Sequence, residues 1–347
     1  MNFWLGDSRV KPMFIRKIGI DLGTTNTLVF LPNRGIVINE PTVVALRKPD
    51  SAVLAVGTEA KEMVGRTPDD IVTYKPLKDG VIAEYYVTQA MLRYFISKSV
   101  GAFNIFRPEV VISVPAGITS TEYRAVMNAA KESGAKEVYL VKEPILAALG
   151  AGIPIHSAEG NMVVNIGGGT TEVAVISLGG IVNWASLRVA GNRFDQSISE
   201  YIKKKYGLAI GETSAENIKI AIGTALTNRS KTEMKIRGRD LASGLPKDLL
   251  INSNEIAEAV NPHLVEIMSA VQSVFNVTPP ELAADIMEKG IILSGGSAQV
   301  RDLEEFFKRS LGVSAYVAED PILCVAKGTA IILNHLDVYK RTLLNKR

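Results

Sequence analysis

The stretch NMVVNIGGGTTEVAVIS, residues 161–177, sets an apolar run before Gly167, Gly168, Gly169, Thr170 and Thr171, with a second apolar run after them. A turn this rich in glycine lets the backbone approach an anion closely and aim its N–H groups at it, and threonine hydroxyls add donors. The same pattern stands earlier in IGIDLGTTNTLVF, residues 18–30, where Asp21 leads into Thr24, Thr25 and Asn26. A carboxylate beside phosphates is tolerable only where a divalent cation neutralises the repulsion. Mg²⁺ does this while keeping several waters and few protein ligands. Asp21 is therefore a candidate metal residue, and Asn165 a candidate through a water. A third turn, SGGSA at 294–298, follows another apolar run. One glycine turn alone more often serves sheet geometry, but a repeated pair with a third points to a phosphate-bearing ligand clamped from both sides of a cleft. No G-x-x-x-x-G-K-[ST] occurs, which excludes a P-loop.

These turns need strands to hold them. Residues 18–21, 28–30 and 162–166 read as apolar strands, as do PEVVISVPAGIT up to its turn, EVYLVKEP, the start of IILSGGSAQV, GIVINEPTVVAL and AVLAVG. Helical spacing runs through 57–66, 87–100, 120–134, 143–152, 194–207 and 214–225, and 278–290 starts a helix with Thr-Pro-Pro. Residues 253–276 form a longer helical stretch with Pro262 as an expected kink or break. Ser120 and Ser253 are the expected N-caps. The stretch 231–252 is polar with strand-like pieces. Strands and helices alternate, so the class is α/β with parallel or mixed sheets, and the two halves repeat one another.

With 347 residues the chain can build two domains with cores of their own. Its net charge of +3 is too small to argue for nucleic acid, and none is expected as a partner. The single cysteine, Cys324, excludes an internal disulfide and reads as a core residue, and His156, His263 and His335 show no metal-ligand spacing. No apolar run approaches the roughly 18–20 residues that span a bilayer, and the N-terminal segment lacks the pattern of a secretory signal. Two stretches suit a membrane surface instead. Phe103, Ile105 and Phe106 stand in a loop between Lys98 and Arg107, and Phe3, Trp4 and Leu5 precede Arg9, Lys11, Arg16 and Lys17. The alternatives are side chains folded back into a core and a terminus without such a role.

Several stretches together resemble one family closely: IDLGTTNT, AVGTEAKEMVGRTP, KPLKDGVIAEYYVTQAML, EPILAALGAGIPI, GNMVVNIGGGTTEVAVISLGGIV, IGETSAENIK and TPPELAADIMEKGIILSGG. They are similar to MreB, the bacterial actin homologue of rod-shaped cells, from about residue 16 to residue 332. The resemblance implies an actin-like fold of two duplicated halves, each with a mixed five-stranded sheet flanked by helices and a smaller outer subdomain. The implied division is 1–44, 78–157 and 327–347 (IA), 45–77 (IB), 158–193 and 258–326 (IIA), and 194–257 (IIB). It implies ATP with Mg²⁺ between the halves. Thr24, Thr25 and Asn26 would form the first phosphate turn and Gly167, Gly168, Gly169 and Thr170 the second. Glu216, Asn217, Ile218 and Lys219 would lie against adenosine, and Gly295, Gly296, Ser297 and Ala298 would close the other end. Glu143 would orient the attacking water, with Thr170 beside it. It further implies antiparallel double filaments of the chain itself, a peripheral place on the inner face of the cytoplasmic membrane, and RodZ-like and wall-synthesis membrane proteins as partners.

The chain departs from the family's pattern near the nucleotide. Asn165 stands where the family carries Asp, Asn192 where Asp is usual, Lys142 where an acid is common, and Ser294 and Ser297 where Thr and Gly are common. Asn accepts a hydrogen bond but lacks the charge. Either ATP is bound and hydrolysed slowly or not at all, or waters and Asp21 hold the metal well enough for ordinary turnover. A homologue that uses nucleotide only structurally stays open, as does a soluble actin-fold phosphotransferase, although no sugar-kinase base motif is present. A chaperone-type ATPase would call for a substrate-binding domain beyond the basic stretch YKRTLLNKR.

Overall fold

A computed structural model describes residues 17–101, 106–339 and 342–344. Two compact units divide the chain: 1–158, 176–181 and 322–347, and 159–175 with 182–321.

In the first unit the apolar run around Ile18 and Ile20 becomes β1 (Lys17–Leu22), which turns at once into β2 (Asn26–Leu31) and then β3 (Gly35–Pro41). Asp21 lies opposite Leu28 across the antiparallel β1–β2 pair. On its other side β1 takes β4 (Glu109–Val114) in parallel, and β4 takes β5 (Glu137–Lys142), also in parallel. The sheet order is β5-β4-β1-β2-β3. Fully buried Ile18, Ile20 and Ile112 of the sheet pack with Met91, Leu92 and Phe95 of the helix Tyr85–Val100, the face that the sequence spacing marked out. GIVINEPTVVAL does not stay one strand. Pro41 closes β3, since it cannot donate to a ladder, and Val44–Arg47 pairs instead with Ala52–Val56 and Ile71–Tyr74 in a separate three-stranded sheet.

The second unit repeats the order. β6 (Asn161–Ile166), β7 (Thr171–Ser177) and β8 (Gly180–Leu187) are followed far along the chain by β9 (Ile291–Ser294) and β10 (Ala315–Val317). The sheet runs β8-β7-β6-β9-β10, with β6–β9 and β9–β10 parallel. β6 thus occupies the place of β1, and β9 that of β4. The polar stretch resolves into a hairpin, Glu233–Asp240 with Pro246–Asn252, within a second three-stranded sheet.

Three local expectations are corrected. The cap of the helix Ser120–Glu132 is Thr119, not Ser120: its hydroxyl accepts from Glu122 N while the Glu122 carboxylate accepts from Thr119 N, a reciprocal box. The cap of the helix Ser253–Asn276 is Asn252, not Ser253, again boxed with Glu255. Pro262 breaks nothing. It lies on the exposed face of that helix, as does Glu258, whose carbonyl loses its partner, so water can satisfy the carbonyl. Buried Ile256, Val260, Leu264, Ile267 and Val271 hold the other face.

Candidate functional site

In each unit the chemistry gathers at the carboxyl ends of parallel strands, where α/β sheets commonly bind ligands. In the first, Asp21 ends β1 beside Ser113 of β4. The Ser113 hydroxyl donates to Asp21 Oδ1 at 2.9 Å and accepts from Leu22 N at 2.9 Å. Burial pushes the Asp21 carboxyl up to about 6, against the pull of the Ser113 hydrogen bond. Glu143, also buried, opens the helix Glu143–Gly150 one residue past β5. Because Val141 pairs with Ser113 and Lys142 with Val114, the register brings Asp21, Ser113 and Glu143 off the same edge of three neighbouring strands.

The first turn is tightly tied. Thr24 Oγ1 accepts from Gly80 N at 3.0 Å, and the Thr25 carbonyl accepts from Thr42 N at 2.8 Å. Thr42 Oγ1 donates to the Gly23 carbonyl at 2.7 Å. A Cβ at Gly23 would lie 2.5 Å from the Asn26 carbonyl oxygen, so only glycine fits that bend.

In the second unit, Asn165 ends β6 opposite Ser294 of β9, the position Asp21 and Ser113 hold in the first. Ser294 Oγ donates to Asn165 Oδ1 at 3.0 Å, and both residues are buried. Amide therefore replaces carboxylate in an otherwise repeated arrangement. Beyond it Gly167 N donates to the Thr170 carbonyl at 2.9 Å and closes the turn.

The helix Gly191–Tyr206 starts against this turn. Gly191 N donates to the Gly167 carbonyl at 3.2 Å, and Asn192 N to the Gly168 carbonyl at 2.8 Å. Ser297 Oγ also donates to the Gly167 carbonyl, at 2.7 Å. In a planar trans peptide the N–H points opposite to the C=O. Pinning these two carbonyls therefore aims the N–H groups of Gly168 and Gly169 the other way, as an anion-binding nest requires.

The third turn is equally constrained. Gly295 has φ +87°, and a Cβ there would lie 2.3 Å from the Ile166 carbonyl oxygen. Gly296 opens a short 3-10 turn, Gly296–Gln299, in which Ala298 is fully buried.

The helix Glu212–Ile222 distributes its residues unevenly. Ala215, Ile218 and Ile222 share its buried face, so the Ile218 side chain packs in the core. Asn217 is exposed and Glu216 half-buried. Lys219 Nζ lies 2.8 and 2.9 Å from the two carboxylate oxygens of Asp195 and donates to the Gly191 carbonyl at 3.1 Å. Burial pushes the Asp195 carboxyl above its ordinary range, and the Lys219 ammonium pulls it back.

Sequence reasoning missed Ser113, Thr42, Gly191 and Asp195. The one signal for Ser113 was a hydroxyl inside the apolar run VVISV. Of the residues expected at a membrane, Phe3, Trp4, Leu5, Phe103 and Ile105 lie outside the described residues, and Phe106 is 44% exposed. Among the described residues no helix is long and apolar enough to cross a membrane.

The donor set fits a nucleotide with a hard cation. No cluster of three or more His, Cys, Asp or Glu able to hold a metal occurs among the described residues. A buried carboxyl such as Asp21, which burial raises to about 6, suits an ion that brings its own phosphate oxygens and waters.

Comparison with known proteins bears on this geometry. The family MreB/Mbl protein matches residues 15–341. The cell shape-determining protein Mbl of Bacillus subtilis strain 168 is 50% identical over 325 residues, covering 94% of this chain and 98% of Mbl. MreB5 of Spiroplasma citri, solved bound to ADP and also to AMPPNP, is 38% identical with a TM-score of 0.89, covering 94% of this chain and 98% of MreB5. The MamK double helical filament, 22% identical with a TM-score of 0.77 over 92% of this chain and 98% of MamK, shares the fold.

Proposed function

The chain belongs to the MreB/Mbl family and has its actin-like fold, and from that premise we propose that it is an ATP-binding cytoskeletal protein. In this reading it assembles into antiparallel double filaments at the inner face of the cell membrane. There it organises wall synthesis with RodZ-like and wall-synthesis membrane proteins and so sets rod shape. The observation that carries the proposal is the second turn, whose pinned carbonyls turn two glycine N–H groups outward together. MreB5, solved with ADP and with AMPPNP, supports the choice of an adenine nucleotide. The MamK filament supports assembly as something this fold does elsewhere.

Thr24, Thr25 and Asn26 of the first turn and Gly168, Gly169 and Thr170 of the second would bind phosphate oxygens, with Glu216 at the adenosine and Gly295 to Ala298 closing over the nucleotide's other end. Asp21 would hold Mg²⁺ through its waters, and the ion would supply charge neutralisation for the transferring phosphoryl group. Glu143, fixed at the start of its helix, would orient water, and Thr170 is the second catalytic candidate. Asn165 offers an acceptor without charge, so its pull on metal-bound water is weaker than that of a carboxylate. Hydrolysis is therefore slow and the nucleotide acts as a long-lived assembly signal. The outer subdomains are 45–77 and 194–257, and Phe103, Ile105, Phe106 and the N-terminal Phe3, Trp4 and Leu5 provide membrane contact.

The test is sedimentation with ATP·Mg²⁺ and anionic or neutral vesicles, read together with phosphate release. Pelleting that needs nucleotide and rises with anionic lipid is expected, with phosphate release slow in the parent and faster in Asn165→Asp. A protein that stays in the supernatant in all mixtures refutes the filament reading. Equal release from both chains refutes the slow-hydrolysis reading.

A further inference from the structure

We infer that Ser297 is a positioning residue that sets the aim of the second phosphate turn, an inference that rests on the nucleotide reading above. Its hydroxyl is buried, and its 2.7 Å bond to the Gly167 carbonyl is shorter than the 3.2 Å bond from Gly191 N to the same oxygen. The peptide between Gly167 and Gly168 is flanked by residues without a Cβ, so little else resists its rotation. Take the hydroxyl away and the carbonyl keeps only the longer bond. The Gly168 N–H, which points opposite, then loses its fixed direction. The next peptide does not depend on Ser297, because Asn192 N holds the Gly168 carbonyl at 2.8 Å.

Two further observations support the assignment. A Cβ at Gly191 would meet Ser297 Oγ at 2.5 Å, so the helix start is kept bare where the hydroxyl sits. Ser294, three residues earlier, ties the root of the same turn through Asn165. Root and crest of the turn are thus both fastened from the end of β9. The ligand class is the anionic oxygens of a nucleoside di- or triphosphate, and the nucleoside itself is not involved.

The experiment titrates ATP, ADP and adenosine into the full chain and into Ser297→Ala and Ser297→Thr. Ser297→Ala is expected to weaken ATP and ADP about 3- to 10-fold, the worth of one hydrogen bond, while leaving adenosine unchanged. Ser297→Thr, which keeps a hydroxyl, restores both phosphates. Unchanged ATP binding in Ser297→Ala overturns the inference, and so does a parallel loss for adenosine, which would mark general damage to the fold. If the parent binds none of the three, the nucleotide reading itself falls and takes this one with it. A cycle with Gly191→Ala adds a measure independent of ligand. That substitution should lower the melting temperature more in the parent than in Ser297→Ala, because the clash is with the hydroxyl. Equal losses in the two backgrounds overturn the placement.

Discussion

Replacing Asn165 by Asp puts a carboxyl where the chain's own repeat shows what to expect. Asp21 and Asn165 hold the same place in their sheets, each accepting one serine hydroxyl, at 2.9 and 3.0 Å, and each is buried. Burial carries the Asp21 carboxyl from 3.8 to about 6. The same displacement at position 165 corresponds to about 3 kcal/mol. Its sign follows from proton binding: the folded chain would hold this proton more firmly than the unfolded chain, so stability falls as pH rises. The loss begins near the unfolded value, is about 1 kcal/mol at pH 4.5, and is complete at about 3 kcal/mol above pH 7. For a unit of this size that is roughly 6–12 °C in melting temperature at pH 8. Paired melts of the nucleotide-free parent and variant at pH 4.5 and 8 measure it, and saturating ATP·Mg²⁺ should narrow the gap at pH 8. A gap of the same size at both pH values would show that Asn165 sits in an environment unlike that of Asp21, and the internal comparison would fail.

Two further changes test the turns' surroundings. Gly295→Ala forces a side chain onto a backbone at φ +87°, 2.3 Å from a carbonyl oxygen. It should cost about 2–3 kcal/mol or more in urea unfolding, and an unchanged midpoint would refute the steric reading. Lys219→Met leaves Asp195 buried without its cation; the two side chains are 13% and 7% exposed. Breaking such a pair costs about 3–5 kcal/mol. Because the lone carboxyl escapes that loss by protonating, the deficit should shrink from pH 8 to pH 5, and a deficit that does not vary with pH would argue against it.

The turns were legible because glycine and threonine between apolar runs report a local requirement of the backbone, and the repeat made two of them one observation. The helices were legible from spacing, but their faces were less so. Ile218 sits one residue from Lys219, and only the neighbouring core decides which of the two turns inward. The caps slipped by one residue, to Thr119 and Asn252, because each is followed by a residue that also caps well, and the reciprocal glutamates decide between them. Least legible were partners set by strand register. Ser113 is 92 residues from Asp21, and Ser294 is 129 from Asn165, separations that no local pattern spans.

The crowding at Gly191 gives the chain's history a direction. With Ser297 in place, a methyl group at 191 would meet its hydroxyl at 2.5 Å, so alanine fits there only if that hydroxyl leaves the Gly167 carbonyl. A lineage that first exchanges the serine for glycine removes that contact, and alanine at 191 becomes reachable against the Lys219 ammonium at 3.1 Å and the Gly167 carbonyl at 3.3 Å, groups that need yield only slightly. With the methyl in place a serine returning at 297 meets the same crowding, unless glycine is first restored at 191. Substitutions at these two positions should therefore be found in one order and not the other.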